Sequence, residues 1–396
     1  MRFSTVAALA ASVSGAVADT YLGFNSGATT DAGKIKKQAD FEKEFAAAQK
    51  LKNAPGTFNS VRLYTNIQGE TEDSPIEAFP AAIKTQTKIL LGMWVSGTDN
   101  IDNELNALSN AIETYGKDFT DLVVGISVGS EDLYRVSEDG VKNKVDVGQD
   151  GTTVISFIKD TRDKLKGTAL SKTPVGHVDT WTAWANSSNK AVIDASDFVG
   201  VNSFPYYENG DNIQTTNDID NAAAIFQDSL NRTSGAIGDK PLWITETGWP
   251  TTGPKWNSAQ PSVDNAKKYW QDVGCTLFGK VNTFWYILRD SNPANKMKFG
   301  IDPELDGTPA FDLTCPTKTA SATPSGTKTP SPSSTDSSPS ASGTSASPVG
   351  NESGETGQSA TSPTPTPAGS SSASVARLNV VVLGLSMVLG VAAWMA

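Results

Sequence analysis

The 396-residue chain has 43 acidic against 32 basic side chains, a formal charge of −11. Such a balance argues against nucleic acid, whose phosphates call for clustered Lys and Arg, and makes an uncharged polymer the easier partner. The length would allow two or three domains, but the composition of both ends leaves one.

Residues 1–18 have Arg2 near the start, an apolar run from Val6 to Val17 and the small-x-small triplet Ala16-Val17-Ala18. That is the pattern of a secretory leader removed before Asp19. Residues 19–315 are long enough for one large domain with a substantial core. Strand-like apolar runs recur there at Tyr21 to Asn25, Val61 to Thr65, Ile89 to Val95, Leu122 to Val128, Val175 to Trp181, Phe198 to Phe204, Leu242 to Glu246 and Val281 to Leu288. Helical spacing lies between them: Ile101, Leu105, Leu108, Ile112; Ile219, Ala223, Phe226, Leu230; and Val263, Ala266, Trp270, Val273, Leu277.

Runs apolar at consecutive positions belong to parallel strands covered on both faces, and strand–helix alternation demands right-handed crossovers. Eight such units predict an α/β fold, the (β/α)8 TIM barrel. A doubly wound open sheet competes, but Gly23-Phe24-Asn25-Ser26-Gly27 lacks the phosphate-turn spacing G-x-G-x-x-G.

Residues 316–374 are Ser, Thr, Pro, Gly and Ala with hardly a large apolar side chain, so they cannot offset chain entropy and read as a disordered, O-glycosylated stalk. Residues 375–396 end in an apolar tail. A transmembrane span is the plain alternative; small residues at Gly369 and Ser370, a polar spacer and a terminal apolar tail fit a GPI-attachment propeptide better. The expected product is a secreted monomer, held at the cell surface by a GPI anchor in the membrane. The only two cysteines, Cys275 and Cys315, are expected to pair. Asn186, Asn231 and Asn351 head N-glycosylation sequons.

In a barrel, reacting groups belong at the carboxyl ends of strands. Two strand ends carry a lone carboxylate after an apolar run: Glu131 follows Leu122 to Gly129, and Glu246 closes Leu242 to Glu246. Paired carboxyls across a cleft are what glycoside hydrolysis needs, one neutral to protonate the leaving oxygen and one ionised to attack or to activate water. Gly125-Ile126-Ser127-Val128-Gly129 matches the G-x-S-x-G elbow, but its serine lies inside a β-branched run and the only histidine, His177, also falls in a strand. Asp302 to Gly307 resembles a calcium loop that would need a bidentate Glu where Leu313 stands. No metal and no cofactor is expected.

Trp243-Ile244-Thr245-Glu246-Thr247-Gly248-Trp249-Pro250-Thr251 resembles the signature of glycoside hydrolase family 17, the β-1,3-glucanases, and Val128-Gly129-Ser130-Glu131 resembles its acid/base motif. The resemblance covers the folded segment and is closest to the fungal GPI-anchored wall endo-β-1,3-glucanases. It implies a retaining endo-hydrolase of wall β-1,3-glucan, with transglycosylation as a second outcome. It makes Glu246 the nucleophile and Glu131 the acid/base, with carboxyls about 5 to 5.5 Å apart. Relatives carry Asn where this chain has Ser130, which leaves open how the sugar 2-hydroxyl is bound. Arg62 resembles the arginine that keeps the nucleophile ionised. Tyr206 either helps to position Glu246 or is a packed core tyrosine.

Asn202 at the end of strand six and Tyr64 after strand two are further expected site residues. Among nine tryptophans, Trp249 and Trp256 in a Gly/Pro-rich loop are expected to face substrate. Trp285, Trp94 and Trp181 at strand ends, and Tyr134 in a loop, either stack on sugar rings or cap barrel layers. A catalytically silent β-glucan-binding wall protein is the alternative that intact carboxyls disfavour.

Overall fold

The computed structural model describes residues 20–210 and 212–316. The leader over 1–18, the stalk beyond Pro316, the tail over 375–396, the attachment site near Gly369 and Ser370, and the Asn351 sequon lie outside the described residues.

Eight parallel strands close on themselves: β1 (Leu22–Asn25), β2 (Ser60–Arg62), β3 (Lys88–Met93), β4 (Val123–Ser130), β5 (Val175–Thr180), β6 (Val199–Asn202), β7 (Leu242–Glu246) and β8 (Thr283–Trp285). Each pairs with the next and β8 returns to β1, so the open sheet is excluded. Every strand residue is buried except the first of β3, β4 and β7 and the last of β5, as strands sandwiched between a filled lumen and outer helices must be. The expected strands at Val61 to Thr65, Phe198 to Phe204 and Val281 to Leu288 are shorter than their apolar runs. The surplus past the strand ends packs at the barrel mouth, where Phe204 and Tyr286 meet edge-on at 5.5 Å, whereas Phe198 precedes β6 and packs in the lower lumen.

The helices lie outside: α1 (Gln38–Gln49), α2 (Ala78–Thr85), α3 (Asp102–Thr120), the short α4 (Asp132–Arg135) and α5 (Glu138–Lys142), α6 (Gly151–Leu165), α7 (Trp181–Ala185), α8 (Lys190–Ala195), α9 (Ile219–Ile237), α10 (Val263–Tyr269) and α11 (Cys275–Leu277). Helix α9 shows why they form. Asp218 caps its first turn by accepting from the backbone N–H groups of Asp220 and Asn221, Ala222, Ile225, Phe226 and Ile237 are buried, and Gly238 at φ 61° ends it. Truncating Phe226 in that stripe to Ala costs about 3 to 5 kcal/mol. The single long helix expected over 263–277 is interrupted by a π-turn at Trp270–Gly274 between α10 and α11. Cys275 is disulfide-bonded to Cys315, which ties the end of the described domain to α11.

The lower lumen is filled by Leu90, Val124, Phe198, Trp243 and Phe284, with Trp243 stacked on Phe198 at 4.4 Å. Trp243 and Glu246 share β7, so the strand plugs the barrel floor with one residue and delivers a carboxylate to the mouth with the other. Asn186 and Asn231 are exposed.

Candidate active site

Glu246 ends β7 and is 1 % exposed. One of its oxygens, Oε1, accepts from Arg62 Nη1 at 2.5 Å and from the Tyr64 hydroxyl at 2.8 Å. Arg62 is itself fixed: Nη1 also donates to Asn25 Oδ1 at 3.0 Å, Nη2 donates to Ser130 Oγ at 2.9 Å, and the guanidinium lies over the Tyr64 ring. The second oxygen, Oε2, is buried and has no hydrogen-bond partner among the described residues. A buried carboxylate oxygen without a donor is costly unless it has a task, because it keeps its desolvation penalty. The arrangement holds the charge through one oxygen and leaves the lone pairs of the other bare.

Glu131 follows β4 and caps α4 in a left-handed conformation, φ 62° and ψ 22°. For a residue with a side chain this costs about 1 to 3 kcal/mol and is found where the fold over-determines a functional position. The β4–β5 register shifts between Ser127 and Ser130, and the β6–β7 register shifts between Val201 and Asn202, so both carboxyl-bearing strand ends are irregular. Oε1 of Glu131 accepts from Asn202 Nδ2 at 3.0 Å, while Asn202 Oδ1 accepts from the Thr245 hydroxyl, which fixes the orientation of the amide. Asn202 also stands in register with Glu246. It therefore links the two carboxyls across one strand end. Burial, then the charge of Glu246, pushes the pKa of Glu131 from 4.5 up to about 7, against the pull of Arg135 and Asn202.

Residues 23–304 match the BtgE/BtgC glycoside hydrolase domain. The chain belongs to the BtgE/BtgC glycoside hydrolase family. It is 50 % identical over 301 residues to a probable glucan endo-1,3-beta-glucosidase eglC of Aspergillus oryzae, covering 76 % of this chain and 64 % of that protein. The chain thus spans under two thirds of that relative's length. A glucan 1,3-beta-glucosidase of Saccharomyces cerevisiae is 34 % identical over 290 residues, 70 % of this chain and 84 % of that one. Among solved structures, a glycoside hydrolase family 17 beta-1,3-glucanosyltransferase from Rhizomucor miehei superposes with a TM-score of 0.58 at 26 % identity, over 74 % of this chain and 98 % of that one. An active-site mutant of that transferase, in complex with laminaritriose, gives 0.55 at 27 % over 71 % and 92 %.

In this member of the family a cleft of about 320 Å³ opens beside Glu131 and Asn202 and is walled by Trp181, Tyr207, Glu208 and Trp256. Trp256 is half-buried and donates its Nε1–H to the Tyr207 carbonyl, so one face is left to the cleft. Trp181 is held by donating to Glu208 Oε1 at 2.6 Å and lies under the Arg232 guanidinium. Tyr134 also lines the cleft, whereas Trp94 sits under the Arg135 guanidinium.

Three expected residues lie elsewhere. Tyr206 does not touch Glu246; its hydroxyl donates to the Pro254 carbonyl and its ring packs edge-on against Trp249. It sits in a 3-10 turn, Pro205–Tyr207, where successive side chains diverge by about a third of a turn, so Tyr207 and not Tyr206 reaches the cleft. Trp249 is buried against Tyr206 and Tyr269 and bonds the Gln260 carbonyl instead of facing substrate. Trp285 is buried among Trp270, Tyr269 and Phe278, outside the barrel wall and away from the cleft.

Glu208 was not among the expected residues. Its burial pushes its pKa up to about 7, against the hydrogen bonds from Trp181 and Asn212. The available signal was a carboxylate directly after the pair Tyr206-Tyr207 past a strand end. Ser127 lies inside β4 with its hydroxyl on the Gly129 carbonyl at 2.8 Å, which is no nucleophile elbow.

Proposed function

We propose that the chain is a retaining endo-hydrolase of β-1,3-glucan, with Glu246 as nucleophile and Glu131 as acid/base. The observation that carries this reading is the asymmetry of Glu246: Oε1 takes both Arg62 and Tyr64, and Oε2 takes no donor among the described residues. The names of the relatives and the laminaritriose complex of the Rhizomucor transferase support β-1,3-glucan as the polymer.

In the first step Oε2 of Glu246 bonds to the anomeric carbon while the bond to the glycosidic oxygen breaks. Glu131, neutral because of burial and the neighbouring charge, gives its proton to that oxygen, and the shortened chain leaves. Tyr64 and Arg62 hold the other oxygen of Glu246 and disperse its charge until the ester forms. Glu131, now a carboxylate, takes a proton from the incoming hydroxyl, which replaces Glu246 at the anomeric carbon and restores the original configuration. Water gives hydrolysis. A sugar hydroxyl gives transfer, and the aromatic cleft next to Glu131 is placed to hold such an acceptor.

Secretion and anchoring at the cell surface belong to the same proposal. The Cys275–Cys315 disulfide supports an oxidising compartment, and release of the protein from intact cells by a GPI-specific phospholipase tests the anchor.

The experiment on the mechanism is reduced laminarin with wild type, Glu246→Gln and Glu131→Gln, and proton NMR of the first products. β-Configured reducing ends from the wild type and none from Glu246→Gln are expected. α-Configured first products would reassign Glu246 to a general base.

A further inference from the structure

A second buried constellation lies directly behind Glu131 and takes no part in the steps above. Its centre is His177 on β5, the only histidine of the chain and fully buried. Nδ1 stands 2.6 Å from the Val128 carbonyl oxygen. A carbonyl can only accept, so Nδ1 carries a proton. Nε2 stands 3.0 Å from Asp179 Oδ2, and the state of that carboxyl is settled by its other neighbours. Oδ2 also takes the Leu133 N–H at 2.8 Å, and Oδ1 takes the N–H groups of Thr180 at 2.8 Å and Tyr134 at 3.2 Å. Three backbone donors converge on the ionised form, so Asp179 is a carboxylate and Nε2 must donate to it as well.

We infer that His177 is a doubly protonated imidazolium whose charge holds the turn bearing Glu131 in its reactive orientation, a positioning residue for the acid/base. The inference rests on the reading of Glu131 as acid/base.

The links to that turn are direct. Val128, which accepts from the imidazolium, lies three residues before Glu131 on β4, and Asp179, which accepts its other proton, binds the first two N–H groups after Asp132 in α4. The ring therefore clamps the strand that enters the turn to the helix that leaves it. Between the two clamps Glu131 has φ 62° and Gly129 has φ 87°. A Cβ on Gly129 would stand 2.4 Å from Asp132 Oδ2 and 2.9 Å from His177 Cε1, so the backbone is pressed against the cluster.

Charges face His177 from each element around it. Asp179 comes from β5 itself and Asp132 from α4, the latter accepting from the Ser130 N–H at 2.9 Å and from the Ser96 hydroxyl. Arg135, also on α4, donates to Ser96 Oγ at 2.8 Å and to the Ser130 carbonyl at 2.9 Å, and reaches Glu131 Oε2 at 3.9 Å. Trp184 of α7 closes the remaining side edge-on. Two carboxylates thus meet two cations, His177 and Arg135. Burial disfavours the imidazolium, but Asp179, Asp132 and the Val128 carbonyl together outweigh it and leave the pKa above the ordinary 6.5. Loss of the proton would leave one negative charge uncompensated beneath Glu131, which Asp179 already pushes upward.

The lone histidine gives a single ring signal, so the test needs no variant to begin. Two-bond nitrogen–proton correlation NMR on the folded full chain, from about pH 5 to 9, is expected to show both ring nitrogens protonated past neutrality. A ring with one proton at about pH 6 would overturn the inference. The functional arm is His177→Gln, which keeps a donor and loses the charge. Its kcat on laminarin should fall about tenfold or more, with KM moving less than about twofold, because only the acid/base is misplaced. Its alkaline limb should move up by roughly half a pH unit, since Asp132 and Asp179 then act on Glu131 unopposed. A kcat within about twofold of wild type with an unmoved limb would overturn it, because a residue that merely fills space shifts no limb. Full turnover of laminarin by Glu131→Gln would instead remove the acid/base reading, and the inference with it, whatever state the ring holds.

Discussion

Arg62 and Glu246 form an ion pair of 2.5 Å in which both side chains are 1 % exposed. They stand 184 residues apart in sequence, at the ends of β2 and β7. Removing one partner of such a pair leaves the other charge buried and unmatched, at a cost of about 3 to 5 kcal/mol. Arg62→Ala is therefore expected to lower the melting temperature and to abolish laminarin hydrolysis together. Arg62→Lys should restore folding better than activity, because an ammonium cannot reach Glu246, Asn25 and Ser130 at once in the fork geometry of a guanidinium. Calorimetry beside reducing-sugar release separates the two effects, and full activity in the lysine variant would count against the fork.

The pH behaviour follows from Glu131, Glu208 and Glu104, each pushed from 4.5 up to about 7, chiefly by burial. A carboxyl raised on folding holds its proton more tightly in the native state, so its contribution to stability is complete below the unfolded pKa and is lost as pH rises through the folded one. Stability should decline from about pH 4.5 to 7 through these groups. In the folded protein the acid form of Glu131 is lost as pH passes about 7, so kcat/KM should fall above that value. Melting temperatures and initial rates across that window check both, and a rate still rising beyond neutrality would rule out Glu131 as the acid.

Two tryptophans of one loop should respond in opposite ways. Trp256 borders the cleft, and Trp256→Ala is expected to raise KM for laminari-oligosaccharides with a small change in melting temperature. Trp249 is packed between Tyr206 and Tyr269, so Trp249→Ala should cost about 3 to 5 kcal/mol of stability and leave KM little moved. Urea midpoints and KM values measured on both variants decide the assignment.

These contrasts show how far the sequence could be read. The eight strands and the two carboxyls were legible because consecutive apolar runs announce buried parallel strands, and a barrel obliges their carboxyl ends to share one mouth. Arg62 came from resemblance. Ser130 was legible as a departure, and here its hydroxyl takes Arg62 Nη2 at 2.9 Å. Trp249 went astray, and Tyr206 settled on its core reading, for one physical cause: in a loop the direction of a side chain depends on turn geometry and on neighbours distant in sequence. Trp285 closes β8, where strand alternation turns it away from the lumen that its neighbour Phe284 fills. A 3-10 turn sends Tyr206 inward and Tyr207 outward, and nothing in the run Phe204-Pro205-Tyr206-Tyr207 distinguishes the two. His177 looked like a strand residue because it is one. Its importance lies in Val128 and Asp179 on either side of the ring, a relation of strand register.

The disulfide should act on stability far more than on catalysis. Cys275 and Cys315 close a loop with a sequence separation of 40, which in the chain-entropy picture is worth about 4 kcal/mol against the unfolded state. The same loop contains β8 and the segment returning to the mouth, where Phe299 and Gly300 donate their N–H groups to Asp290. Losing the bond loosens the unfolded chain but leaves those hydrogen bonds, and the Arg62–Glu246 pair, in place while the protein stays folded. A Cys275→Ser/Cys315→Ser variant is thus expected to melt well below the wild type and to hydrolyse laminarin at a similar rate at room temperature. Equal melting temperatures would mean that Trp270, whose Nε1–H bonds the Leu313 carbonyl at 2.9 Å, already anchors the chain end without the bridge.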